Sequence, residues 1–353
     1  MALFWKQGRP TLLGIAGLGW LGYTALQWWR QEDVHGQVVL ITGGSRGLGL
    51  ALAREFARIG CRLVLCARDA QELERARHDL AQRGADVLTV PCDVTDREQV
   101  NRLIAQATQR FGRVDILVNN AGIIQVGPIH TATVEDFEAT LDVMFWGVLY
   151  PTLAVLPQMR ARRKGRIINI TSIGGMVSVP HLLPYNCAKF AAVGLSEGLR
   201  AELGRDGIHV TTIVPGLMRT GSHLHAMFRG QEEREFTWFG LGASLPLLSI
   251  SAERAARQIV RATQRGEAER ILSLPANLLG RLHGLCPGLI THLLSAANRI
   301  LPSEDGARTP SVSGIELHAR LHSRLFNALT GLGRAAAQRL HQYPPAARVH
   351  EPD

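Results

Sequence analysis

Residues 37–60 read QVVLITGGSRGLGLALAREFARIG: a short apolar run, a glycine-rich turn and a helical pattern in direct succession. The run ending at Thr42 has the β-branched character of a buried strand, and LALAREFARIG spaces its apolar residues as a helix does. Between them Gly43, Gly44, Gly47 and Gly49 permit a tight turn and close backbone approach, with Ser45, Arg46 and Leu48 interleaved. The helix that follows offers unpaired N–H groups and the positive end of its dipole. Strand, glycine turn and helix N-terminus in that order form a seat for a phosphate.

The alternation continues outward from this stretch. RLVLCA at 62–67 reads as a second strand and 69–83 as a charged helix, with further strands at 86–90, 114–119, 166–170 and 209–214. Helices are expected at 134–160, broken near Gly147 and Pro157, and at 185–203; a helix over 252–265 and a strand near 270–274 close the series. Such alternation predicts βαβ units and an α/β fold, a doubly wound parallel sheet of the Rossmann type in one principal domain. With 353 residues, 46% of them hydrophobic and 20% charged, the chain can bury one sizeable core.

At the end of the second strand, where a carboxylate would grip a ribose 2′-hydroxyl, stand Ala67 and Arg68. Arg68 and Arg46 can together clamp a 2′-phosphate, which favours NADP(H) over NAD(H). Tyr185 and Lys189 lie four residues apart and so share one helix face, where an ammonium can lower a phenol's pKa toward working pH. The chain contains only three lysines, Lys6, Lys164 and Lys189, against many arginines, so a lysine at this position is not a compositional accident.

Taken in order, TGxxxGxG at Thr42–Gly49, NNAG at Asn119–Gly122, Ser172 thirteen residues before Tyr185, YxxxK, and PGxxxT at Pro215, Gly216 and Thr220 resemble the short-chain dehydrogenase/reductase family. The resemblance spans about 36–274. It implies an oxidoreductase interconverting carbonyl and alcohol, with catalytic Ser172, Tyr185 and Lys189. Ser172 would hydrogen-bond the substrate oxygen, and Lys189 would also hold the nicotinamide ribose. It further implies that Asp93, followed by Val94, contacts the adenine, that Asn120, Ala121 and Gly122 line the cofactor pocket, and that Thr220 faces the carboxamide. One departure stands out: the family's asparagine three residues before the glycine of NxxG is Met144 here, ahead of Gly147. A thioether accepts hydrogen bonds only weakly, so the proton relay to the lysine must run differently. A catalytically impaired NADP(H)-binding scaffold is the alternative reading.

Residues 11–29 form an uncharged apolar run flanked by Trp5, Trp28 and Trp29, long enough as a helix to span roughly 28 Å. The preferred reading is a single-pass membrane anchor over 1–35, ahead of a cleaved signal peptide or a helix packed on the soluble domain, with a catalytic domain over 36–275 on the cytosolic side and a helical C-terminal extension over 276–353. Gly14, Gly17 and Gly19 inside that run imitate a dinucleotide spacing, but no strand precedes them. The segment 217–249, with His223, His225, Met227, Phe228, Trp238 and Phe239, reads as an apolar substrate lid. Residues 276–301 read as amphipathic helices that lie on a membrane, complete the core or form a dimer face, and 315–341 as a basic helix. Net charge is +9, yet the basic residues are scattered and lack an aromatic platform, so nucleic acid is not an expected partner. The five cysteines form no CxxC pair and suggest no metal site. The expected partners are an apolar small molecule such as a steroid, retinoid or long-chain carbonyl, a membrane through the N-terminal helix, and a second copy of the chain.

Overall fold

The computed structural model describes residues 31–302, 310–321 and 323–343. Seven parallel strands form the central sheet: β1 (Val38–Thr42), β2 (Arg62–Ala67), β3 (Val87–Pro91), β4 (Ile116–Asn119), β5 (Gly165–Ile170), β6 (Ile208–Val214) and β7 (Glu269–Ile271). Their order is β7-β6-β5-β4-β1-β2-β3. The chain therefore winds outward from β1 to β3, returns to β4 on the other side of β1, and winds outward again. The crevice above β1 and β4, where the direction reverses, is where such sheets bind ligands.

All five residues of β1 are buried, and successive side chains point to opposite faces. Val39 and Ile41 meet Leu50, Leu52 and Phe56 of α1 (Gly47–Arg58), Leu73 and Leu80 of α2 (Ala70–Ala81) and Ile259 of α8 (Ala252–Arg265). Val38 and Leu40 join Leu103 of α3 (Arg97–Phe111) and Val155 and Met159 of α5 (Gly147–Arg162) on the other face. Helix starts follow their caps: Asp69 accepts from Gln71 and Glu72 N–H, Asp96 from Glu98 and Gln99, and Ser251 from Arg254.

Most expected elements appear within a few residues of their predicted ends, and the helix at Ala252–Arg265 coincides with its prediction. The helix expected over 134–160 breaks as α4 (Val134–Leu141), a π-helical turn at Asp142–Trp146 and α5, whereas Pro157 lies inside α5 without ending it. Counted through that turn, Val134–Arg162 is long and apolar enough to cross a bilayer, but it packs on α3 and the sheet as a core-flanking helix. The apolar run 11–29 lies outside the described residues.

Two C-terminal expectations change. The single basic helix is three short ones, α11 (Gly314–Arg320), α12 (Arg324–Leu329) and α13 (Gly331–Arg339), because Ser323 caps a new helix and Thr330 and Gly331 interrupt the ladder. The lid segment is no open loop: it holds α7 (Glu232–Ser244), whose Phe236 and Phe239 pack with Phe228, Leu317 and Phe326 in a third apolar cluster. Its aromatics are spent on that cluster. By contrast α9 (Leu274–Leu285) and α10 (Pro287–Asn298) leave Leu274, Leu278, Leu285, Leu289 and Leu293 exposed, so they do not complete the core.

Candidate active site

The glycine turn takes the shape its residues allow. Gly43 and Gly47 adopt φ of +62° and +57°, the left-handed region that glycine enters without strain. A Cβ on Gly49 would press into the Gly43 carbonyl and lie 2.8 Å from Asn120 Nδ2, so helix and turn touch only because that side chain is absent. Asn120 fastens the turn from β4: its Nδ2 donates to the Thr42 and Gly43 carbonyls at 2.9 and 3.1 Å. Thr42 Oγ1 accepts in return from the N–H of Asn120 and Ala121. NNAG thus locks the two strands flanking the crevice, and Gly122 faces the Met144 thioether. Asn119 extends the lock inward through Asn169, which donates to Ser196 Oγ, itself bonded to Thr212 Oγ1. The sequence reading singled out neither Asn169 nor Ser196.

No acidic residue lies within the first turn of α1, and its N-cap, Arg46, makes no side-chain cap; the carboxylate that approaches the turn, Glu72 of α2, is held by Arg46 and Ser45. Arg46 pairs with Glu72 at 2.6 Å, and Ser45 Oγ donates to the other Glu72 oxygen at 2.9 Å. Burial lowers the Arg46 pKa; Glu72 opposes this and the neighbouring charge of Arg68 adds to it. Two cations that repel across one cleft suit a shared 2′-phosphate. Asp93 and Val94 follow β3, where Asp93 Oδ1 accepts from the N–H and Oγ1 of Thr95, and buried Val94 packs against Gly147. On the far wall the Pro215 carbonyl accepts from Ile173 N–H, Gly216 leaves room for Ser273, and Thr220 is buried. These residues fit a dinucleotide with a 2′-phosphate.

Ser172 follows β5 and caps a short 3-10 turn, accepting from Gly174 N–H at 3.1 Å. Tyr185, in the first turn of α6 (Leu183–Leu203), lies beside it: a Cβ on Gly174 would stand 3.2 Å from the Tyr185 ring and 3.5 Å from Ser172 Oγ. One turn on, Lys189 is buried, its Nζ 2.9 Å from the Ile170 carbonyl and 5.7 Å from the Tyr185 ring centre. Burial pushes the lysine down to about 8 and the phenol upward, the latter opposed by the neighbouring Ser172 hydroxyl. The expected net lowering of the tyrosine is therefore corrected: desolvation outweighs it, and the phenol stays protonated at neutral pH. Met144 lies wholly buried in the π-helical turn, where Gly147 N–H reaches back five residues to Asp142 O. Such turns often mark functional sites.

The structure brings Ser172, Tyr185 and Lys189 together at the strand ends that also carry Thr42, Asn120 and Pro215. It adds a contact absent from the sequence reading. His181, at φ +62°, places Nδ1 2.7 Å from buried Glu235 of α7, whose other oxygen accepts from Trp238 Nε1. This ties α7 to the segment just before Tyr185.

Fold and site together define an NADP(H)-dependent oxidoreductase with a tyrosine–lysine pair. Residues 37–227 match the short chain dehydrogenase family model, and the chain belongs to the short-chain dehydrogenase/reductase family. It is 34% identical over 298 residues to dehydrogenase/reductase SDR family member 7B of Bos taurus, covering 82% of this chain and 90% of that one. It is 38% identical over 255 residues to 11-beta-hydroxysteroid dehydrogenase A of Sesamum indicum, covering 69% and 70%. Among solved structures, L-sorbose reductase from Gluconobacter frateurii, complexed with NADPH and L-sorbose, superposes with TM-score 0.62 at 28% identity, over 69% of this chain and 97% of that one.

Proposed function

We propose that this protein reduces the carbonyl of an apolar, lipid-like substrate, with Tyr185 as proton donor. NADPH supplies the hydride. Tyr185 gives its proton to the carbonyl oxygen as that oxygen gains charge, Ser172 holds the same oxygen in place, and Lys189 orients the cofactor's ribose and steadies the phenolate left behind. The Ser172–Tyr185–Lys189 cluster beside the glycine turn carries this reading; a protonated phenol suits the reductive direction. Arg46 and Arg68 hold the 2′-phosphate, Asp93 and Val94 the adenine, and Pro215, Gly216 and Thr220 the nicotinamide side. With Met144 offering no strong hydrogen bond, Lys189 passes a proton to the phenolate and takes one back from solvent water, while the Ile170 carbonyl accepts from its Nζ and holds it in place.

Support for a partly apolar substrate comes from a cavity of about 610 Å³ beside the first turn of α6, lined by Val177, Val179, Leu183 and Leu294 on one side and by His181, His283 and Arg299 among its polar residues; Ser172, Tyr185 and Lys189 are not among its lining residues. Steroids, retinoids and long-chain ketones or aldehydes are the classes it suits. An NADPH-coupled assay over a panel of these carbonyls tests the reading. No turnover on any member would refute it and favour the binding scaffold.

The proposal includes the three-part organisation, with 11–29 as a single-pass anchor and the catalytic domain in the cytosol, where NADPH is supplied. The described chain enters at Glu32, which pairs with Arg166 at the start of β5, at the end of the sheet opposite the site. An anchor there tethers the domain without covering the cleft. A reporter fused to the C-terminus tests the orientation. Exposed apolar side chains such as Leu153, Leu278 and Leu289 favour a homo-oligomer, to be measured by light scattering.

A further inference from the structure

The C-terminal segment 331–343 bridges both walls of the cofactor crevice. Gly47, Leu48 and Gly49 begin α1, and the first intrahelical bond from this turn is Leu50 N–H to Arg46 O. Of the N–H groups left for an anion, that of Gly47 donates to the Leu340 carbonyl at 2.9 Å. The Gln342 carboxamide sits directly over the same glycine: Nε2 lies 2.6 Å from where a Gly47 Cβ would be. The same Nε2 donates to the Thr220 carbonyl at 2.9 Å on the opposite wall.

The surroundings hold the segment in this place. Leu340 is fully buried in the cluster containing Leu48 and Leu50, Ala337 packs on Gly221, and His225 Nε2 meets the Gln342 carbonyl at 2.8 Å. Yet among the described residues Gln342 Oε1 is buried with no hydrogen-bond partner, a cost that a permanently closed contact would not be expected to keep. The second glycine of a dinucleotide turn is bare so that backbone and pyrophosphate can approach. Here a peptide carbonyl and a carboxamide take that approach, set at the negative C-terminal end of α13 against the positive N-terminus of α1.

We infer that 331–343 is an internal ligand of the dinucleotide site: Leu340 and Gln342 compete with the cofactor's pyrophosphate for Gly47, and NADP(H) binds by displacing them. The segment thereby sets cofactor affinity and exchange. It lies more than a hundred residues beyond the last cofactor motif, Pro215–Thr220, and acts on the seat of every nicotinamide cofactor, whatever the substrate.

The test is hydrogen–deuterium exchange on the full chain with and without NADPH, together with NADPH titration of Gln342→Ala. Protection of the glycine turn reports cofactor binding itself. Faster exchange across 331–343 is expected at the same time, and an NADPH Kd tightened by roughly three- to tenfold in the variant from the loss of the one hydrogen bond, Gln342 Nε2 to the Thr220 carbonyl, that the substitution removes. Protection of the turn with 331–343 unchanged or also protected overturns the competition, as does weakened binding by a folded Gln342→Ala. No protection of the turn would overturn the cofactor site, and the competition with it.

Discussion

Gly49→Ala tests the geometry of the cofactor turn at the position where the structure leaves least room. In a helix, alanine in place of glycine stabilises by about 0.5–1 kcal/mol. At Gly49 the new Cβ would drive into the Gly43 carbonyl and stand 2.9 Å from its carbon and 2.8 Å from Asn120 Nδ2. The carbonyl is backbone, and Asn120 is held by bonds to Thr42 and Gly43, so neither can swing aside. Overpacking of this kind costs about 1–3 kcal/mol. The clash therefore wins, and the turn moves off Asn120. If that strain falls on the cofactor seat, NADPH affinity drops by roughly 5- to 150-fold, at about 1.4 kcal/mol per decade. Gly284→Ala is the control, since in α9 a Cβ there meets nothing within 4 Å. NADPH fluorescence titration and thermal melts of both variants make the comparison. Wild-type NADPH affinity in a folded Gly49→Ala protein would refute the assignment of this turn to the cofactor.

Three further outcomes are expected. Removing Arg46 or Arg68 withdraws a charge-assisted contact worth about 1.5–3 kcal/mol, so the ratio of kcat/KM with NADPH to that with NADH falls by roughly ten- to a hundredfold; an unchanged ratio contradicts the clamp. Lys189 is protonated below its pKa of about 8 and neutral above it, so kcat/KM for reduction declines as pH rises through that value. The always-charged Lys189→Arg loses that limb of the profile, even at a lower rate, and a limb that persists in it belongs to another group. Asn169→Leu takes one partner from Asn119, which keeps Thr152, and one from Ser196, which keeps Thr212, and its Tm falls by an amount equivalent to about 1–3 kcal/mol on thermal unfolding.

The parts of this molecule readable from sequence are those encoded locally. β1 declares itself by five apolar or β-branched residues before a glycine turn, and α8 by Ser251 at its start and Gly266 in the left-handed conformation at its end. The glycine turn is legible because Gly43, Gly47 and Gly49 answer a backbone requirement at fixed spacing. What escaped reading depends on contacts between distant segments. The aromatics of 217–249 looked like a lid because nothing local says that Leu317 and Phe326 arrive to cover them. Gln342 carries no motif, and only the fold carries it to Gly47. The Tyr185 shift was misjudged in direction because the lysine's spacing is visible in sequence and the depth of burial is not.

The central claim is that Tyr185 protonates a carbonyl during NADPH-dependent reduction, and it is tested most directly by comparing Tyr185→Phe with the wild type. The measurement is NADPH consumption and alcohol formation on an active lipid carbonyl, with NADPH affinity recorded for both proteins. The account predicts a rate loss of about a hundred- to ten-thousandfold with NADPH binding nearly unchanged. Alcohol formed by Tyr185→Phe at the wild-type rate would contradict it.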